Sequence, residues 1–163
     1  MNRRAILALS MTGLLCSEMA LPGAAVAQTA KDLVGAWTFV SNVSIRPDGS
    51  KYDGFSKGTT IFDGSGRFVI LNVNSGLPKF ASNNRMTGTP DENKAIVQGI
   101  IGLFGTYSVT DKVLVLKVEA STFPAFDGTE QKRTIAAFSS DELTLNFPGS
   151  AGERNEQVLK RAK

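Results

Sequence analysis

The feature that most limits the fold of this chain is a succession of short segments in which apolar and polar residues alternate. Alternation with a period of two is typical of strands that bury one face, and strands at regular spacing indicate an antiparallel barrel or sandwich. The predicted strands cover residues 33–45, 59–62, 67–73, 106–110, 113–121, 130–138, 142–147 and 157–161. About eight strands in meander order predict an all-β fold, a single antiparallel β-barrel.

Turn residues separate these segments, and one helix interrupts them. Glycine and aspartate at 48–49 and 63–66 predict tight turns. Thr89, Pro90 and Glu92 form a helix start, with a capping hydroxyl, proline at the first position and a carboxylate three residues after the cap. The apolar residues at helical spacing behind it are Ile96, Ile100, Leu103 and Phe104. We therefore expect a helical insertion that packs on the barrel or forms a lid over its mouth.

The first residues have the pattern of an export signal. Arg3 and Arg4 precede an apolar stretch at 5–16, and Ala25-Val26-Ala27 forms a small-x-small cleavage site. The sequence predicts a secretory signal peptide at 1–27 and a barrel domain at 28–163. The expected location is periplasmic or secreted, without stable membrane insertion after cleavage. Both general secretory and twin-arginine export fit this leader.

Composition excludes several classes of function. The chain has no histidine, and its one cysteine, Cys16, lies in the leader. Serine-protease triads, Cys–His dyads and the usual zinc sites are therefore not expected, and we predict no metal and no cofactor. The 18 basic and 15 acidic residues form no basic stripe, so nucleic acid is not an expected partner.

Several short motifs follow one another in a distinctive order. They are Leu33-Val34-Gly35-Ala36-Trp37, Phe62-Asp63-Gly64-Ser65-Gly66-Arg67, Gly88-Thr89-Pro90-Asp91-Glu92, Phe104-Gly105-Thr106-Tyr107, Val118-Glu119-Ala120-Ser121, Phe123-Pro124, Gly128-Thr129-Glu130-Gln131, Arg133 and Leu143-Thr144-Leu145. This series resembles the bacterial lipocalin-like domain family across nearly all of the chain after the leader. The resemblance implies a calycin-type barrel. Family members commonly carry a histidine pair where Leu116 and Lys117 stand here, so chemistry by those histidines is not expected.

The resemblance also implies a structural pair at the closed end of the barrel. Lipocalin-type barrels commonly stack a C-terminal basic residue on the first-strand tryptophan. Arg161 is the corresponding residue for Trp37. We expect a cation–π contact between the two side chains.

A candidate site follows from the hairpin of the segments at 113–121 and 130–138. If Ser121 faces Gln131, Glu119 lies opposite Arg133 on the same face, and Tyr107 on a neighbouring strand is close enough to join them. A one-residue slip would move this set to the other face. The ligand-binding candidates are Tyr107, Lys117, Glu119, Gln131, Arg133, Phe80, Arg85 and Phe123.

Three kinds of function remain open at this point. The first is an exported barrel that binds a small hydrophobic or amphiphilic molecule, with Arg133 holding a carboxylate. The second is a cofactor-free isomerase, cyclase or lyase in which Glu119 is the base, Tyr107 the acid and Arg133 the third member. The third is a structural or partner-binding envelope protein with a filled barrel, in which Glu119 and Arg133 form only an ion pair.

Overall fold

A computed structural model describes residues 29–163, and within them the chain forms nine strands around one interior. The strands are β1 (Gly35–Ile45), β2 (Lys51–Asp53), β3 (Lys57–Phe62), β4 (Arg67–Val73), β5 (Ile100–Thr110), β6 (Val113–Ser121), β7 (Glu130–Phe138), β8 (Glu142–Pro148) and β9 (Arg154–Arg161). The helices are α1 (Ala30–Leu33), α2 (Pro90–Gly99) and a 3₁₀ turn at Pro124–Phe126. The predicted leader at 1–27 lies outside the described residues.

The sheet closes into an eight-stranded antiparallel barrel. Sequential neighbours pair from β3 to β9, β1 pairs with β3, and β1 also pairs with β9 from Trp37 opposite Arg161 to Ile45 opposite Arg154. The short β2 pairs only with the end of β1. The predicted all-β barrel is therefore confirmed. The sequence did not reveal β2, because its three residues are all exposed and show no alternation.

The predicted turns form where aspartate and glycine stand. The backbone amides of Ser65 and Arg67 donate to Asp63 Oδ1 at 2.9 and 2.8 Å. Gly66 follows with a φ of +87°, a conformation that favours glycine. This turn joins β3 to β4 and fixes their register, with Phe62 opposite Phe68.

The predicted helix start is confirmed, but the helix ends earlier than its apolar pattern suggested. Thr89 caps α2, and Glu92 closes the capping box. The helix ends at Gly99 and β5 begins at Ile100, so the expectation that Ile100, Leu103 and Phe104 share a helix face with Ile96 was wrong. They lie in β5, where successive residues point to opposite faces and only Leu103 is buried. Pairing of β5 with β4, which begins at Ile100 opposite Val73, decides this boundary.

One end of the barrel is closed by α1 and by the stacked pair of Trp37 and Arg161. Trp37 is fully buried and donates from Nε1 to the Leu33 carbonyl at 2.8 Å. The Arg161 guanidinium lies 4.2 Å from the centre of the Trp37 ring and donates to the carbonyl of Val34 at 2.8 Å and to that of Asp32 at 3.0 Å. The expected contact between Trp37 and Arg161 is confirmed. Among the helices of residues 29–163, none has the length and apolar character needed to cross a bilayer.

Candidate functional site

The barrel interior has two halves of different character. Toward the closed end it is filled by large buried apolar side chains, namely Phe62, Phe68, Ile70, Leu114, Leu116, Leu143, Leu145 and Leu159. Toward the opposite end the strands enclose a cavity of about 1230 Å³. Since this end carries the loops before β7 and after β8, together with the end of α2, it is the mouth of the barrel.

Buried polar side chains form the floor of the cavity. Asn42, Arg133 and Gln157 line it and are at most 7% exposed. The next inward-facing residues toward the closed end, Ile135 after Arg133 and Leu159 after Gln157, belong to the packed apolar half. The cavity therefore ends at a layer of amide and guanidinium groups, and the hydrocarbon core lies beneath them.

A β-bulge in β1 turns the polar residues Asn42 and Ser44 inward. The pairing with β9 shifts between Phe39 and Ser41, so the inward positions pass from Trp37 and Phe39 to Asn42 and Ser44. Ser44 Oγ and Asn42 Nδ2 both donate to Asn155 Oδ1, at 2.6 and 3.1 Å. The network holds Asn42 in place. The Oδ1 atom of Asn42 is buried and makes no hydrogen bond within the described protein.

Arg133 is the one charged side chain among the buried polar residues of the described chain. Its guanidinium stacks 4.3 Å from the centre of the Phe147 ring, and Nη1 lies 3.5 Å from Gln157 Oε1, at the limit of a hydrogen bond. Burial lowers the pKa of this guanidinium to about 10, which leaves it a cation at neutral pH. The salt bridges of residues 29–163 join Arg67 to Glu119 and Lys132 to Glu130, so neither neutralises Arg133.

The mouth of the cavity is aromatic, with an acidic rim. Its aromatic lining consists of Tyr52, Phe55, Phe123, Phe126 and Phe147, and the last turn of α2 adds Val97. The acidic residues that line it are Asp53, Glu130 and Glu153. A ligand here meets aromatic surface near the solvent and hydrogen-bonding groups at depth.

The predicted pair of Glu119 and Arg133 does not form. In the hairpin of β6 and β7, Gln131 lies opposite Leu116 rather than Ser121, and Arg133 lies opposite Leu114. This shift of five residues, an odd number, moves Glu119 to the outer face.

The pairing fails because the end of β6 does not continue the hairpin. Beyond the pair of Lys117 and Glu130, the end of β6 pairs with β5, and the 3₁₀ turn packs against it. Glu119 is the extra residue of a bulge against β5. On the outer face Arg67 donates to both of its carboxylate oxygens, at 3.1 and 2.8 Å, and so lowers the pKa of Glu119.

Tyr107 and Lys117 also lie away from the cavity. The Tyr107 hydroxyl is at the closed end, 2.9 Å from the Asp63 carbonyl and 3.2 Å from the Ala30 carbonyl. Burial raises the pKa of Tyr107, and the nearby Asp63 charge adds to this effect. Lys117 faces outward between the buried Leu116 and Val118. The expected constellation of Glu119, Tyr107 and Arg133 is thus spread over three parts of the barrel.

Three further candidates are Phe123, Phe80 and Arg85, and only one of them lines the cavity. Phe123 does so and packs edge-on to Phe126 with ring centres 5.0 Å apart. Phe80 is half-buried in the segment before α2, against Gly88, and Arg85 is exposed in that segment. Neither is among the residues that line the cavity.

Sequence reasoning therefore found part of the lining and missed the rest. Gln131, Arg133 and Phe123 line the cavity as expected. The missed residues are chiefly Asn42, Ser44, Asn72, Asn155, Gln157 and Phe147. The alternation in β9 contained a signal for two of them, because Asn155 and Gln157 are four and two residues before the buried Leu159. Within residues 29–163, no group of three or more acidic, histidine or cysteine side chains is arranged to hold a metal ion.

Comparison with known proteins gave one family and several solved structures of β-barrels. The sequence model of the lipocalin-like domain family matches residues 34–160, from the start of β1 almost to the end of β9. No curated protein matches the chain. A redesigned β-barrel is 13% identical and covers 86% of this chain and 100% of its own, with a TM-score of 0.45.

Two further solved structures are also designed barrels. A fluorescence-activating β-barrel designed de novo is 16% identical over 82% of this chain and 96% of its own, with a TM-score of 0.41. A redesigned barrel bound to DFHBI is 20% identical over 81% of this chain and 97% of its own, with a TM-score of 0.40.

Proposed function

Since the chain belongs to the lipocalin-like domain family, we propose that it is an exported binding protein whose barrel holds one small amphiphilic molecule. The observation that carries this proposal is the cavity of about 1230 Å³ at the mouth. Ligand pockets typically measure about 300–1,000 Å³, so this larger space has room for one molecule of lipid or drug size.

The lining supports an amphiphilic ligand rather than a wholly apolar one. A wholly apolar molecule would cover the buried amides of Asn42 and Gln157 and the charge of Arg133 without replacing their contacts with water. Burying polar groups without partners is costly. A ligand with a polar head and an apolar body satisfies both the floor and the aromatic mouth.

The other two functions have less support. An enzyme with Glu119, Tyr107 and Arg133 as its acid–base set requires these side chains to meet, and they lie at the outer face, the closed end and the cavity floor. A barrel with a purely structural role would be filled throughout. Here only the half toward the closed end is filled.

We expect Ile101→Trp to weaken binding of the neutral fluorescent probe N-phenyl-1-naphthylamine by about tenfold or more, a loss of about 1.4 kcal/mol. Ile101 lines the cavity near the mouth and is half-buried, so a larger ring occupies ligand space without removing a polar contact. Fluorescence titration measures the dissociation constant, and thermal denaturation shows that the variant is folded.

The matched control is Val69→Trp, which places the same ring on the outer face of the neighbouring strand β4. It should bind the probe as the wild type does. Equal weakening by both variants, or no binding by the wild-type barrel, would contradict the proposed use of the cavity.

Export is the second part of the proposal. It rests on the charged and apolar leader and on the Ala25-Val26-Ala27 motif. We expect N-terminal sequencing of the exported protein to begin at Gln28. A lipid-modified N-terminus at Cys16, or retention of the uncleaved chain in the cytoplasm, would refute this expectation.

A further inference from the structure

We infer that the cavity is a receptor site for the carboxylate of a monoanionic amphiphile, which lies with its charged head on the polar floor and its apolar body among the aromatic residues of the mouth. This inference rests on the proposed binding function and adds the charge of the ligand and its direction. It depends on the side chains of Arg133 and Gln131, which both belong to β7.

Arg133 is a buried cation without an acidic partner among the described residues. The side chain is 6% exposed, and no acidic group of the described chain lies within ion-pair distance of it. Its Nε donor makes no hydrogen bond within the described protein. Buried charges are normally paired and hydrogen-bonded, so a cation left unpaired in a ligand cavity favours an anionic ligand.

Gln131 provides a second hydrogen-bond donor on the face of β7 that carries Arg133. Gln131 precedes Arg133 by two residues, and both side chains line the cavity. Gln131 Nε2 is also buried and has no partner within residues 29–163. A guanidinium and a neighbouring amide give a planar carboxylate donors for both of its oxygens.

The charged side chains that line the cavity favour a ligand with one negative charge. The cavity lining carries Asp53, Glu130 and Glu153 as acidic groups, against Lys132 and Arg133 as basic groups. A monoanion neutralises Arg133 and adds no further negative charge beside the acidic rim. A phosphate monoester, which carries nearly two negative charges at neutral pH, is repelled by that rim.

The different depths of Arg133 and Phe123 define the direction of the ligand in the cavity. Arg133 lies one inward position above the packed Ile135, whereas Phe123 is 44% exposed at the mouth. Phe123, Phe126 and Phe147 provide aromatic contact area between these two levels. The head of the ligand therefore lies deeper than its tail.

Isothermal titration of the full mature chain with a matched series of ten-carbon probes tests the charge preference. We expect decanoate to bind at least about tenfold more tightly than methyl decanoate, decyl phosphate or decylammonium, because hydrogen bonds to charged groups contribute this much. Tighter binding of decyl phosphate than of decanoate would overturn the choice of a carboxylate.

Variants assign the preference to Arg133. Arg133→Met should weaken decanoate by at least about tenfold and leave methyl decanoate unchanged or tighter. Gln131→Met should weaken decanoate by a smaller factor, because the lost donor is neutral. The control is Arg67→Met, which removes an arginine from the outer face and should leave all four affinities unchanged.

Two brominated probes test the direction. With Phe123→Trp providing an indole at the mouth, decanoate brominated at its terminal carbon should quench the additional fluorescence. Decanoate brominated beside its carboxylate should not. The reverse order of quenching would show that the tail enters first and would overturn the direction inferred above.

These outcomes distinguish a failure of the proposed binding function from a failure of the carboxylate site. If none of the four probes binds, the proposed binding function fails with the present inference. If decanoate and methyl decanoate bind equally, and Arg133→Met weakens neither, the barrel still binds amphiphiles but the carboxylate site is refuted.

Discussion

Trp37→Ala is expected to lower the free energy of unfolding by about 3–5 kcal/mol, which is typical when a large buried aromatic ring is removed. The ring is fully buried between α1 and the barrel, and its Nε1 holds the Leu33 carbonyl. Denaturant unfolding followed by circular dichroism measures the loss. Val40→Ala, an exposed position on the same strand, is the control and should change stability by less than about 0.5 kcal/mol.

Arg161→Ala should cost less, because the Trp37 ring stays packed on its other sides. The double variant should lose less than the sum of the single losses, with a coupling energy of about 0.5–2 kcal/mol for the cation–π contact. Strict additivity would show that the stack contributes nothing, even though the two side chains are in contact.

The second large effect is a gain of stability. We expect Arg133→Met to raise the free energy of unfolding of the ligand-free protein by about 1–3 kcal/mol, because replacing buried charged groups by apolar side chains often stabilises proteins by this order. Burial lowers the pKa of Arg133 to about 10, because removing this cation from water is unfavourable and reduces the stability of the folded barrel. Methionine keeps an unbranched apolar side chain at this position and removes the guanidinium that stacks on Phe147, together with its charge.

Lys117→Met is the matched control for this gain, since Lys117 lies on the outer face of the paired strand β6. It should change stability by less than about 0.5 kcal/mol. A loss of stability in Arg133→Met would mean that the guanidinium is a structural group. A gain of stability together with a loss of decanoate affinity would identify a residue kept for binding at a cost to the fold.

Much of the barrel was predictable because it depends on local rules. Segments of alternating polarity became β4, β6 and β7 with the predicted ends, and Thr89 with Glu92 began the helix where expected. The arrangement of strands in a meander also follows from short turns such as that at Asp63, which leave neighbouring strands little choice of partner.

The candidate site was less predictable, and Glu119 shows why. Its position relative to Arg133 depends on how far the pairing of β6 with β7 extends, and the loop at 122–129 does not determine this from its sequence. A shift by an odd number of residues reverses the face of every side chain. Glu119 consequently pairs with Arg67 on the outer face, whereas Arg133 keeps the inward position predicted for it.

The sequence by itself determined the class of fold, the turns, the helix cap and the stacked pair of Trp37 and Arg161. Each of these depends on neighbours along the chain or on a recurrent motif. Only the tertiary structure decided that Asn42 faces inward and that Arg133 has no acidic partner. The physical reason is that strand register and bulges arise from pairing between distant segments, and one displaced residue reverses which side chains face the cavity.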